Sequence, residues 1–235
     1  MNKSKNQQRI LVLGKTGQLA SCLQKTVSKK FDVVFASHAE APFEDYGFIE
    51  KLLEQTQPTL IVNASAYTKV DLAEAEKDKC FLVNCETPAK IANWCTQNHA
   101  RLLHFSTDYV FNGSGTEAWQ ESDPAAPLNV YGQSKLAAEE KILAIHPQAL
   151  IFRTSWVYSE FGANFVKTMI RLFAEKEEIK VVKDQVGTPN YAGDLAQATW
   201  KIIEAIDQGN ASSGIYHMSS QGECSWHEFA LKIYT

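Results

Sequence analysis

Arg9-Ile-Leu-Val-Leu-Gly-Lys-Thr-Gly-Gln-Leu-Ala20 is a short apolar run that passes through two glycines into a helical pattern reaching Lys29. A run this short and apolar reads as a strand buried on both faces, and the longer amphipathic stretch behind it as a helix. Asp32-Val-Val-Phe-Ala-Ser37 supplies a second strand, so the three segments make a βαβ unit. The turn between strand and helix has the spacing Gly14-x-x-Gly17-x-x-Ala20. There Gly14 makes the tight turn, Gly17 lets the backbone approach a phosphate, and small Ala20 lets helix and strand pack closely. Lys15, Thr16, Gln18 and Leu19 complete a loop whose N–H groups and positive helix end suit a dinucleotide pyrophosphate. The spacing alone is equally that of an ordinary strand-to-helix turn; its place at the start of a βαβ unit favours the nucleotide.

The same rhythm continues outward. Strands are predicted over Thr59–Ala64, Arg101–Ser106 and Ala149–Thr154, and helices over about Asp45–Gln55, Pro88–Asn98 and Tyr131–Ile145. Apolar strands separated by helices predict an α/β fold, a Rossmann-type doubly wound parallel sheet. Beyond Tyr158 the pattern gives a helix near 164–176, a strand over Ile179–Lys183, a helix over Asp194–Ile206, a short strand at Ile215–Met218 and a helix from Trp226. The expected division is an NAD(P)-binding domain over 1–156 and, over 157–235, a mixed segment that returns to the sheet and forms part of a small substrate-binding region. The chain stops inside a helical pattern with no Gly, Asn or Pro stop signal, so a truncated C-terminus is expected.

The 235 residues carry 23 Lys+Arg against 27 Asp+Glu and are 45% hydrophobic, enough for a sizeable core. A net charge of -4 without a basic cluster argues against a nucleic-acid partner. No stretch approaches the roughly 20 apolar residues of a membrane span. Five cysteines with no Cys-x-x-Cys pair fit reduced thiols, a cytoplasmic location and no metal.

At the end of the second strand a dinucleotide fold that reads the ribose of NAD places an acid. Here the strand ends Phe35-Ala36-Ser37-His38, and the nearest acids, Glu40 and Glu44, fall later. Ser37 and His38 are the candidates for hydrogen bonds to a 2′-phosphate, which favours NADPH, with NADH as the alternative. Tyr131-x-x-x-Lys135 puts a phenol and an ammonium one helical turn apart. A free tyrosine titrates near about 10, so a positive charge beside it would make it a usable proton donor and acceptor near neutrality. Such pairs also occur by chance. Thr107, in Phe105-Ser-Thr-Asp-Tyr-Val-Phe-Asn-Gly113, adds a hydroxyl at the carboxyl end of the sheet, where open α/β sheets bind ligands. Hydroxyl, phenol and lysine together are the constellation of short-chain dehydrogenases and reductases. In Arg153-Thr-Ser-Trp-Val-Tyr158, Trp156 suits stacking on a sugar or packing a seam.

The chain resembles the dTDP-4-dehydrorhamnose reductases, of the extended branch of that superfamily. The resemblance rests on Leu13–Leu19, Ile61–Asp71, Ser106–Gly113, Pro127–Lys135, Arg153–Tyr158, Asn164-Phe165 and Asp184–Pro189, in family order over nearly the whole chain. It implies that Thr107, Tyr131 and Lys135 are catalytic, that Asp108, Tyr109 and Trp156 lie near the sugar, and that Ala64, Ser65, Ala66 and Thr68 lie along the cofactor. It further implies reduction of the C4 ketone of dTDP-4-dehydro-L-rhamnose to dTDP-L-rhamnose by a monomer or homodimer. A nucleotide-sugar epimerase or dehydratase is one competitor. Sugar dehydratases usually carry two acids after the threonine, whereas Asp108 is followed by Tyr109. A silent NADP-binding subunit is the other, against which stands the retention of Tyr131 and Lys135.

Overall fold

A computed structural model describes residues 8–210 and 212–235. The predicted βαβ opening is present as β1 (Arg9–Leu13), α1 (Gln18–Lys25) and β2 (Asp32–Ala36). There follow α2 (Tyr46–Thr56), β3 (Leu60–Asn63), α3 (Val70–Ala73) and α4 (Lys77–Phe81), then α5 (Thr87–Asn98), β4 (Arg101–Thr107), α6 (Val130–Ile145) and β5 (Leu150–Thr154). The remainder comprises β6 (Val157–Tyr158), α7 (Phe165–Glu175), β7 (Val186–Gly187), β8 (Asn190–Tyr191), α8 (Ala192–Asp207), β9 (Gly214–His217), β10 (Cys224–Ser225) and α9 (Trp226–Tyr234).

The main sheet has six parallel strands in the order β2-β1-β3-β4-β5-β9. Its central strands are buried along nearly their whole length and largely apolar, because both faces are covered. Leu11, Leu13, Ile61, Leu102 and Ile151 point to one core with residues of α2, α5 and α6. Ile10, Val12, Leu60, Val62, Leu103 and Phe152 point to the other, against α1 and α8. Chain order reverses between β1 and β3, which opens the crevice where such sheets take ligands. Among the described residues no helix is long and apolar enough to cross a membrane.

Two parts of the sequence reading are corrected. Ile179–Lys183 has strand-like residues but forms no strand, because the start of α9 rather than another strand meets its backbone: His227 N–H donates to the Val182 carbonyl at 3.0 Å. The stretch before Pro88, read without helix, carries α3, α4 and a π-helical turn, Leu82–Glu86, that runs on into α5. Tertiary contacts hold that turn: buried Asn84 takes the Tyr67 N–H at 2.8 Å and donates to the Tyr67 carbonyl and the Ser134 hydroxyl.

One ionic contact sets the depth of α6 against the sheet. Glu139 and Arg153 are both buried, and the guanidinium grips the carboxylate with Nε and Nη2, the latter at 2.6 Å. Ser106 on β4 donates to the same carboxylate, and the guanidinium lies 4.9 Å over the Phe111 ring. Removing one partner of such a pair leaves a buried charge without its counter-ion. Glu139→Ala should therefore cost about 3–5 kcal/mol in urea unfolding; a loss below about 1 kcal/mol would show that the pair is dispensable to the packing of α6.

Candidate active site

The turn from β1 into α1 has the geometry its glycines predict. Gly14 sits at φ +91°, and a Cβ there would fall 2.9 Å from the Ala64 carbonyl oxygen. Gly14 and Lys15 both donate their N–H groups to the Ala36 carbonyl, which binds the turn to the end of β2. Gly17 caps α1 without any side-chain bond, and the first turn holds no acid. The exposed helix end, the close approach of Ala64-Ser65 and the missing Cβ form a cradle that fits a dinucleotide pyrophosphate. Gln18 contributes only backbone there. Its side-chain amide donates to the Val157 carbonyl and accepts from Ser159 and Asn164, so it ties the turn to the lobe after β5. Leu19 packs into the core, while Thr16 and Thr68 are exposed beside the turn and after Ala66 respectively.

At the end of β2 the structure corrects the expectation that no acid stands there. The chain turns back on itself after Ala36, with the Ala41 N–H on the Ser37 carbonyl, and this brings Glu40 onto Ser37. The Glu40 carboxylate accepts from the Ser37 N–H at 2.8 Å and from its hydroxyl at 2.7 Å. Those two bonds, the backbone one first, hold its carboxyl below the usual range. His38 is likewise engaged, 2.9 Å from Glu44. Both residues predicted to face a 2′-phosphate thus have a carboxylate as neighbour.

Thr107 ends β4, Tyr131 opens the second position of α6, and Gly132 lets the two elements touch: any Cβ at Gly132 would run into the Tyr109 carbonyl. Asn129 caps α6 by accepting from the Gly132 N–H at 2.7 Å, which fixes where the helix begins. The Thr107 hydroxyl donates to Asp108 and takes the Tyr109 N–H, and the Tyr109 ring meets Tyr131 edge to face at 5.6 Å. Burial raises the Tyr131 phenol well above its ordinary value, against an opposing effect of the Thr107 side chain. Lys135 is not among the groups that act on that phenol. Its amine instead lies 2.6 Å from the Phe105 carbonyl and 3.2 Å from Nε2 of buried His104. Burial brings Lys135 down to about 8. Burial is thus the largest influence on both groups, raising the phenol and lowering the lysine, and a lowering of Tyr131 by Lys135 is not seen in these contacts.

Trp156 adopts φ +44°, unusual for a bulky residue, and its carbonyl accepts from Asn190 N–H. Its indole stacks on Trp226 at 3.5 Å, inside an aromatic group with Phe165 and Phe229. It is thus built into the seam between the sheet and α9, and the face that meets Trp226 is closed to a sugar. Fully buried Asn190 closes that seam: its amide donates to the Ser155 and Thr188 carbonyls and accepts from the Ser220 N–H. His104, Glu139 and Asn190 were all missed as site-building residues. A polar residue within an apolar strand, as in Leu102-Leu-His-Phe105, is a signal that points to His104; Glu139 on a helix and Asn190 after a loop carry no such mark.

The chain is similar to known proteins over nearly all its length. The family model described as RmlD substrate binding domain matches residues 8–235. The spore coat polysaccharide biosynthesis protein SpsK of Bacillus subtilis is 39% identical over 226 residues, 96% of this chain and 78% of that protein. A dTDP-4-dehydrorhamnose reductase of Escherichia coli K12 is 39% identical over 229 residues, 96% of this chain and 77% of its own. The crystal structure of a dTDP-4-dehydrorhamnose reductase from Bacillus anthracis in complex with NADP superposes with a TM-score of 0.91 at 38% identity, covering 97% of this chain and 80% of the other.

Asp108 gives the site a pH signature. Burial, opposed by hydrogen bonds from Thr107 and the backbone, pushes its carboxyl up to about 6 from 3.8. A carboxyl raised on folding contributes stability below its unfolded value, and that contribution is lost as pH rises through the folded one. Asp108→Asn has no such proton to lose. Between about pH 4 and 7 the melting temperature of the variant should therefore gain on that of the parent; a constant difference in calorimetry would show that the carboxyl titrates normally.

Proposed function

Since the chain belongs to the dTDP-4-dehydrorhamnose reductase family, we propose that it reduces the C4 ketone of dTDP-4-dehydro-L-rhamnose to dTDP-L-rhamnose, with NADPH as hydride donor. What supports this reading is that the Thr107 hydroxyl at the end of β4 lies against Tyr131 of α6, while Lys135 one turn further on reaches the Phe105 carbonyl of the same strand, next to β3, whose end presses on Gly14. Gly14, Lys15, Thr16 and Gly17, with the backbone of Gln18 and Leu19, would hold the pyrophosphate, and Ala64, Ser65, Ala66 and Thr68 would line the next part of the cofactor. Bound there, the reduced nicotinamide supplies a hydride to a carbonyl carbon.

The protein's own groups do the rest. As C4 becomes tetrahedral its oxygen gains negative charge, and Tyr131 is placed to give that oxygen a proton. Reduction needs a phenol that carries its proton at neutral pH, which is what burial secures at Tyr131. Thr107, already polarised by its bond to Asp108, would donate to the developing alkoxide when that bond turns towards substrate. Lys135 would hold the nicotinamide ribose from a position fixed by the Phe105 carbonyl. Asp108 and half-exposed Tyr109 flank the sugar position, and Trp156 closes its far side through the seam. Such a site works on a small nucleotide sugar in the cytoplasm and calls for neither nucleic acid nor membrane.

The reaction is tested directly by adding the ketosugar nucleotide to protein and NADPH and following loss of the reduced nicotinamide absorbance; no loss would refute it. Tyr131→Phe should cut turnover by about 10² to 10⁴ with NADPH affinity nearly unchanged. At the adenosine end, Glu40→Gln removes the charge that sits on Ser37. The ratio of kcat/KM for NADPH over NADH should then rise by about 2- to 5-fold, the size of an exposed charge effect, whereas an unmoved ratio would place recognition of the ribose elsewhere.

A further inference from the structure

Gln18 opens α1, and its backbone and side chain serve different parts of the molecule. The backbone N–H belongs to the first turn of the helix, where Gly17 supplies no side-chain cap and the N–H groups are left for the phosphates of the proposed cofactor. The side chain reaches into the segment between β6 and α7. Its Nε2 donates to the Val157 carbonyl at 3.1 Å, and its Oε1 accepts from the Ser159 hydroxyl at 3.0 Å and from Asn164 Nδ2 at 2.9 Å. Ser159 is itself buried, and Gly162 closes over the stem, where a Cβ would lie 3.5 Å from the Gln18 Cγ.

What Gln18 holds is a junction. Asn164 caps α7 by accepting the Lys167 N–H at 3.1 Å. The next residue, Phe165, packs on Trp226 with ring centroids 4.4 Å apart, and Trp226 stacks on Trp156, which borders the proposed sugar position. One amide therefore connects the helix start of the cradle to the aromatic group of the seam. A second tie between α1 and this segment is the pair of Lys25 and Glu160 at 2.8 Å, but both side chains are exposed and such a pair contributes little. We infer that Gln18 is a positioning residue that couples the two sites, an inference that rests on the reading of the cradle as a dinucleotide site. Phosphate held on the N–H groups at the start of α1 immobilises Gln18, and its amide then fixes segment 159–164 and with it the start of α7. Cofactor binding in this way orders the sugar side before any sugar is present. A nucleotide sugar that binds afterwards meets a lobe already ordered and binds more tightly, and linkage requires the same factor in the reverse direction.

Hydrogen–deuterium exchange on the full chain, read by mass spectrometry, tests the coupling without substrate or turnover. NADP⁺ should slow exchange at 14–19 and also, by about 5-fold or more, at 159–168. Gln18→Leu keeps the bulk of the side chain and removes its hydrogen bonds. Ser159 and Asn164 retain partners in the Phe161 carbonyl, and Asn164 a further one in the Ser159 carbonyl, so the segment keeps its internal bonds in this variant. There the slowing at 14–19 should remain, while that at 159–168 should fall below about 2-fold. Lys25→Met, which breaks the exposed pair, should change neither. Slowing confined to 14–19 in the parent, or undiminished slowing at 159–168 in Gln18→Leu, overturns the coupling. No slowing at 14–19 in the parent refutes the cofactor reading itself, and the coupling falls with it. Should Gln18→Leu not fold, Asn164→Ser decides: serine still caps α7 but is too short to reach Gln18, so the response at 159–168 should be lost in the same way. A response retained in that variant overturns the proposal.

Discussion

Lys135 reaches from α6 to the Phe105 carbonyl on β4 at 2.6 Å, and one helical turn further on Glu139 grips Arg153 of β5. These two contacts fix the helix in rotation and depth, and so fix Tyr131 one turn before them. The ion pair has no part in the proposed chemistry. Both are costly to bury, since a lysine and an ion pair leave water for an interior where only good geometry compensates them. The same helix packed by apolar residues alone would hold less firmly to one register, and the phenol would be less closely aimed at the end of β4. The site is therefore a consequence of how α6 is attached, with the reacting residues riding on structural ones.

The second constraint is steric and sits at the other side of the reversal in strand order. Ala64 closes on Gly14 so tightly that no side chain fits between them. One backbone contact thereby joins β1, β2 and β3 at their carboxyl ends: Gly14 and Lys15 hang from Ala36, while the Ala64 N–H donates to the Leu13 carbonyl. Such a junction leaves the first turn of α1 pointing at open space with its N–H groups uncapped, which is the condition for binding an anion there.

What was legible in the sequence was what is local. The βαβ opening follows from the short apolar run and the glycine spacing, and Tyr131 and Lys135 follow from one turn of one helix. Thr107 was found because it ends a strand. His104 and Arg153 owe their roles to which elements lie side by side, and no periodicity along the chain encodes that His104 lies against Lys135 or Arg153 against Glu139. Glu40 escaped for a related reason: it reaches the end of β2 only because the chain doubles back three residues later. Ile179–Lys183 misled in the opposite sense, having strand composition without a strand to pair with.

The sixth strand has a bearing on how this molecule assembles. β9 pairs with β5 so that Leu150 stands beside Gly214, with the whole of α7 and α8 between them in the chain. Closing so long a loop is entropically costly, and the contact cannot reward it until the intervening segments have packed. The other five strands, β1 to β5, are joined by shorter connections. Of the two edge strands β9 is also the less covered, with no fully buried residue and with Tyr216 exposed. Local opening is therefore expected to begin at β9 and the late-packing segments around it before it reaches β4, which is paired on both sides.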